Sequence, residues 1–565
     1  MKISGKLLPL LLPAILLASS LPASGAANII IVNVNAPGVG FNDPTPATPV
    51  GGNPGTTVGQ QRLKAFQFAA SLWGSILDSP VPIYVQASFV PQTCTSTFAM
   101  TGVAQALQVF SDFPGHEVDH TFYHVALANK LAGADLAPGP NGTDADDILA
   151  TFNSDLGTPN CPGTVGWYYG LDDNHGNRTD LVTVLLHELA HGLGFQSFVN
   201  KTTGANLAGM PDIFDVYTLD DLTGKHFPQM TDAERAAAIT HTNHLVWDGL
   251  HVTLTAPGFL QRSTTPLLTV LTPLNLIGTY RVGPSDFGPP LTSPGRISAV
   301  VRALDPADTA GASTFDACSP LTNASAVNGK IALVDRGSCA FVVKVKNAQN
   351  AGATGVLIAD NTGVSPPLRP GGTDPTIVIP SVLISTRDAN DLKAALANNS
   401  PVVVSLGINP LVRDGASLFG LMELNAPAPS NSLASLSHWD PIAAPNLLME
   451  PLINSDLTHD VDLTRQVMAD IGWFSDGDGV PDGRDFCLGS SRDATVILGT
   501  CNSGVPNTTF ASGCRISDAV SDCQASPGNH GSFKDCIQDL TKDLKSNGVI
   551  SGKQKDAIDR CAGSY

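Results

Sequence analysis

Residues 180–198, "DLVTVLLHELAHGLGFQSF", set His187, Glu188 and His191 in the pattern His-Glu-x-x-His. Side chains four apart share a face of an α-helix, so His187 and His191 can offer two imidazole nitrogens to one tetrahedral ion. Glu188 stands one step round the helix. There it can flank an open coordination position and take a proton from a water that attacks a carbonyl. Zinc suits this chemistry because it lowers the pKa of bound water to about 7. The chain has 13 histidines and five glutamates among 565 residues. At those frequencies the pattern arises by chance on the order of three times in a thousand such chains, so it is signal.

A catalytic zinc has three protein ligands and one open position. Three residues after Gly194, where many such sites carry a third histidine, the chain has Ser197. A downstream glutamate is one alternative, but Glu234, Glu423 and Glu450 all lack an apolar helical context. The histidine candidates are His226, His241, His244, His251, His438 and His459, with His241 and His244 close together in "HTNHLVWDG". His438 has the better surroundings. It stands in "SHWDPIAAPNLLMEP", where Met449 follows eleven residues later, and a methionine turn beneath the metal accompanies one class of zinc peptidase.

The elements that must position these groups are legible in outline. Residues 28–35, "NIIIVNVN", read as a strand, 60–77 as a helix, 81–90 as a strand, 122–131 as a helix and 147–153 as a strand, followed by the motif helix. Residues 256–291, rich in Pro, Thr and Gly, read as loop. A second strand and helix alternation follows: strand 329–337, helix 340–351, strands 355–361 and 379–385. After His438 a helix is expected over 462–473, and then a cysteine-rich tail.

"HELAHGLGF", a long excursion, and "SHW" followed by Leu-Met-Glu-Pro together resemble the leishmanolysin-like branch of the metzincin zinc peptidases. That resemblance implies zinc ligands at His187, His191 and His438, a general base at Glu188 and a Met-turn at Met449. The excursion is longer than in that family. A cysteine-switch zymogen is not expected, and Cys94 is expected to pair with Cys161. "GKIALVDRGSCAFVVKVKNAQNAGATGVLIADN" and "IPSVLIS" closely resemble a protease-associated (PA) domain, a non-catalytic α/β lid or substrate-binding module of proteases. Within it Asp335 and Arg336 read as a surface ion pair or turn, with no catalytic role. "DGDGVPDGRDFC" resembles one thrombospondin type 3 calcium repeat, which implies calcium ligands at Asp476, Asp478, Asp482 and Asp485; the alternating carboxylates in a glycine-rich loop suit calcium's need for many oxygens.

Lys2 and Lys6, an apolar run from residue 7 to 17 and a small-residue end at Ala26 read as a signal peptide, so a secreted, extracellular protein is expected. Losing its two lysines moves the formal charge from −19 to −21, which argues against nucleic acid as a partner. No later segment is long and apolar enough for a membrane span. Ten cysteines in an exported chain read as disulfides, in groups of two, two and six. The expected fold class is α+β: a metzincin-like peptidase domain (27–255 and 410–474) interrupted by an α/β protease-associated domain (293–409), with a disulfide-rich C-terminal module (475–565) after the signal peptide (1–26). The expected function is zinc-dependent endopeptidase action on protein or peptide substrates, with zinc and calcium as the ions. The alternative is an extracellular binding or adhesion protein whose zinc is structural or absent.

Overall fold

The β-branched run near the N-terminus forms strand β1 (Ile29–Asn33). The apolar periodicity that follows winds into helix α1 (Val58–Ile76), where the Thr57 hydroxyl caps the first turn by accepting from the Gln60 N–H. Strands β2 (Ile83–Val90) and β3 (Gly102–Ala106), helix α2 (Val125–Ala132) and strand β4 (Ile148–Asn153) come next. These and all later coordinates are from a computed structural model describing residues 26–95, 98–138, 146–525 and 529–564. The leader expected over 1–26 falls outside that range except for Ala26. Strands β1, β2 and β4 are parallel, and β3 joins β4 antiparallel at the sheet edge, in the order β1-β2-β4-β3. Two details differ from the sequence reading. The expected helix at 122 starts at Val125 because Tyr123 and His124 pair with Val109 and Phe110, and β3, "GVAQA", is a strand because β4 pairs it, although its residues lack strand character.

The motif helix is α3 (Leu181–Leu193), with all thirteen residues buried. Asp180 caps it, accepting from the Val182 and Thr183 N–H groups. It lies close against the sheet, because a Cβ on Gly192 would come 2.5 Å from Cγ2 of Ile148. It stops at Gly194, whose φ of 131° is a conformation glycine reaches without Cβ strain. A second small sheet is made of Lys225–His226, Thr218–Asp220, Leu245–Trp247 and Met422–Glu423 in that order. Its last pair joins chain from the two sides of the long excursion, with Val246 opposite Glu423. One hydrophobic core accordingly takes residues from Ala27 to Leu260 and again from Ala416 to Trp473.

Between those two stretches the chain builds a closed seven-stranded barrel. Its strands are β5 (Pro266–Thr272), β6 (Gly278–Pro284), β7 (Arg296–Arg302), β8 (Ile331–Asp335), β9 (Gly355–Ala359), β10 (Ser381–Ile384) and β11 (Val403–Ile408), in the order β5-β6-β10-β9-β8-β7-β11. Helices α4 (Phe341–Asn350) and α5 (Thr386–Ala397) lie against it. The barrel has its own apolar clusters, one of them including Val345 and Ala348 of α4. Strands β5 and β6 correct the loop expected over 256–291: their Pro, Thr and Gly content hides a pairing with β11 and β10, partners far along the chain. Asp335 pairs with Arg302 and Lys393, and Arg336 with Asp360, as structural ion pairs.

After the helix α6 (Thr464–Asp470), the tail forms a hairpin (Thr495–Leu498 with Cys501–Pro506) and three helices around a separate core. Disulfides join Cys94–Cys161, Cys318–Cys339, Cys487–Cys514, Cys501–Cys561 and Cys523–Cys536, so each cysteine group closes within itself. Such bonds persist in oxidising compartments, which makes this an extracellular or lumenal chain. No helix among the described residues is long and apolar enough to cross a membrane.

Trp473 ties the late segment to α3. It is fully buried and its indole N–H donates to the Leu193 carbonyl at 2.9 Å, in the helix's last turn. Trp473→Ala is expected to cost about 3–5 kcal/mol in chemical unfolding, whereas Leu411→Ala, at a side chain 85% exposed, should stay within roughly 0.5 kcal/mol of the parent.

Candidate metal centre

Helix α3 presents His187 and His191 on one face, and the loop before Trp439 brings His438 to them. The ring centroids are 4.9 Å apart for His187 and His191, 5.2 Å for His187 and His438, and 4.9 Å for His191 and His438. One ligand atom from each lies within 4.8 Å of the others. Each ring also has a backbone carbonyl partner. His187 Nδ1 donates to the Leu448 carbonyl at 2.6 Å, His191 Nδ1 to that of Phe195 at 2.8 Å and His438 Nδ1 to that of Ala434 at 3.0 Å. A carbonyl only accepts, so all three rings carry their proton on Nδ1 and keep the Nε2 lone pair free.

Burial keeps these rings neutral. It pulls the pKa of His187 down to about 4 and that of His191 to about 3, and holds His438 well below the usual range. Neutral imidazole is the form that ligates a metal. Three such donors with one position left open fit zinc. Glu188 lies beside them, with Oε2 accepting from the Ala104 N–H of β3 at 3.0 Å. Burial pushes its pKa up to about 8, and the Ala104 hydrogen bond works the other way. A dication next to it would favour the ionised form.

Met449 is fully buried, and its backbone lies between the supports of His187 and His438. The neighbouring Leu448 carbonyl holds His187, while the Met449 carbonyl accepts from the Trp439 N–H at 2.8 Å, next to His438. Ser197, three residues after Gly194, supports the loop that carries His438. Its N–H donates to Ser437 Oγ at 3.1 Å, and its hydroxyl donates to Asp215 at 2.7 Å. The carbonyls of Phe195, Ala434 and Leu448 leave no mark in a sequence, because any residue supplies one.

The other candidates lie outside this cluster, and His241 and His244 keep their Nε2 atoms buried and without a hydrogen-bond partner. His241 and His244 bond through Nδ1 to Asp220 and Asp221, and His226 to Asp248. His251 bonds to the Asp482 carbonyl and His459 to Asp180. Glu234 pairs with Lys225, Glu423 lies by Arg281, and Glu450 accepts from the Leu447 N–H and Asn454. In the tail, Asp476, Asp478 and Asp485 gather carboxylate oxygens within 4.8 Å. Asp482 does not join them: its Oδ2 accepts from the Phe474 N–H, and its own N–H donates to Glu117. The short turn over Asp482–Arg484 aims it at the large core instead, toward Phe474 and Glu117.

Residues 299–392 match the family model of the PA domain. Relatives include the ER degradation-enhancing alpha-mannosidase-like protein 3 of Xenopus laevis, 34% identical over 113 residues (19% of this chain, 12% of that protein), and the vacuolar-sorting receptor 5 of Arabidopsis thaliana, 32% identical over 155 residues (26% and 24%). The PRADC1-like protein of Drosophila melanogaster is 36% identical over 98 residues (17% and 45%). The chain thus spans less than half the length of each. Among solved structures, a zinc aminopeptidase from Bacillus subtilis overlaps at a TM-score of 0.19 with 20% identity, covering 31% of this chain and 38% of that one. A superposition of that extent carries no weight for the metal centre. The PA domain is therefore present, in the barrel between the two halves of the large core.

The ligand geometry gives a direct expectation. His438→Ala should lose zinc through dialysis while His241→Ala keeps it, as measured by metal content; the reverse result would place the third ligand in the His241–His244 pair.

Proposed function

We propose that the chain is a secreted zinc metalloendopeptidase of the metzincin type, similar to the leishmanolysin-like branch. The observation that supports this most is the meeting of three buried, neutral imidazoles, each oriented by a carbonyl, beside the Glu188 carboxyl. Zinc held by His187, His191 and His438 would supply a Lewis acid for the scissile carbonyl and a water of lowered pKa. Glu188 would then accept the proton of the attacking water on its free Oε1 and pass it to the leaving amine. The Ala104 N–H holds the other oxygen, so the carboxyl keeps one orientation through both transfers.

The edge strand β3 favours a protein substrate. Among the described residues no further strand pairs with its outer side, and Val103 and Gln105 are exposed. An extended peptide adding to that edge would run past Glu188, with main-chain hydrogen bonds supplying affinity for any sequence.

Glu188→Ala is expected to lower hydrolysis of a generic unfolded protein by about 10²–10⁴-fold, with zinc content unchanged. Should that variant hydrolyse as well as the parent, the peptidase reading falls and the barrel and tail are left to act as binding modules.

The proposal includes a calcium ion at Asp476, Asp478 and Asp485, without Asp482. In its support, Oδ2 of Asp478 and of Asp485 are buried and have no hydrogen-bond partner. Calcium added to metal-free protein should raise the unfolding midpoint, and Asp485→Asn should abolish that rise. An unchanged midpoint in the parent protein removes calcium from the proposal.

A further inference from the structure

The barrel touches the peptidase body at both ends of the segment that carries His438. At one end Ser365 pairs with Ala428 through both backbone hydrogen bonds, each 2.9 Å, and the Ser365 hydroxyl donates to Thr242 at 2.7 Å. At the other end Arg281, on β6, reaches out of the barrel. Its Nη2 donates to Asp440 Oδ1 at 2.7 Å and sits 3.6 Å from Glu423 Oε2, and its Nε donates to Asn243 at 3.1 Å. His438 lies between these two grips, two residues from Asp440.

Arg281 is well placed to govern that loop. Its side chain is 12% exposed, and those of Glu423 and Asp440 are 2% and 4% exposed. Asp440 also folds its own turn, accepting from the Ile442 N–H at 3.0 Å, while its N–H donates to the Glu423 carbonyl at 2.9 Å. Without the guanidinium, two buried carboxyl groups face each other with no cation between them. A buried charge left unpaired is costly, and the cheapest relief is for the loop carrying Asp440 to move outward toward water. His438 moves with it, against the holds the body keeps on that loop, the Asn425 N–H on the His438 carbonyl at 2.8 Å and the Trp439 N–H on the Met449 carbonyl at 2.8 Å, so the expected change is a shift of the ligand within the site.

We propose that Arg281 of the inserted barrel is a positioning residue for His438, so that the barrel is a working part of the metal centre. This rests on the zinc-site reading above. It gives the barrel a part in placing the third ligand.

The experiment measures zinc affinity by chelator competition, together with the visible absorption of the cobalt-substituted protein, in the full chain. Arg281→Met is expected to weaken zinc about 10–100-fold, the range for loss of a group that orients a ligand, and to shift the cobalt bands as ligand geometry relaxes. Arg281→Lys retains the charge but lacks the fork that serves Asn243 and Asp440 together, so a smaller loss is expected; it carries the test if Arg281→Met does not fold. Arg387→Met is the control, since Arg387 of α5 donates to the Ala237 carbonyl at 2.6 Å, a barrel-to-body contact outside the ligand segment, and its zinc affinity should equal the parent's. Zinc affinity in both Arg281 variants within twofold of the parent's overturns the inference, as does an equal loss in Arg387→Met, which would make the effect one of docking in general. A parent protein that binds no zinc overturns the proposed function itself.

Discussion

Everything in the body that holds the large core depends on pressing His438 against the face of α3 that carries His187 and His191. Two imidazoles on one helix make an incomplete metal site, and the third comes from a segment separated from them by the whole barrel. The convergence takes place in a buried setting, so each ring has to be neutral and each has to satisfy its second nitrogen. Three main-chain carbonyls meet that requirement and at the same time fix which nitrogen faces the metal position.

The same constraint accounts for the shape of the supporting core. Helix α3 can sit near the sheet because Gly192 leaves room for Ile148, and it ends sharply at Gly194 so that the chain can turn toward Ser197. Trp473 closes the helix's last turn from the far end of the sequence, and Leu448 and Met449 join the His187 support to the backbone beside His438. Early and late chain therefore share one core, and neither half is complete alone.

The barrel fits this arrangement as a bracket on the ligand-bearing segment. Its strands leave and return next to a paired edge, Leu245–Trp247 with Met422–Glu423, which limits how far it can swing. Arg281 then extends that coupling to within two residues of His438, through carboxyl groups that the body alone would leave unpaired.

The sequence by itself determined what the helix offers: residues four apart share one face, so His187 and His191 stand together there whatever surrounds them. It also marked the PA domain, through contiguous β-branched strands around a helix, and the disulfide groups, through their even numbers of cysteines. Strands β5 and β6 were not legible, since their pairing partners lie far along the chain and their own composition reads as loop. Nor were the carbonyls of Phe195, Ala434 and Leu448, the turning of Asp482 toward Glu117, or the reach of Arg281 to Asp440, which depend on where segments distant in sequence come to rest. Local spacing can specify which atoms a helix offers, but a coordination sphere is completed across space, and only the tertiary structure decided which histidine stood opposite.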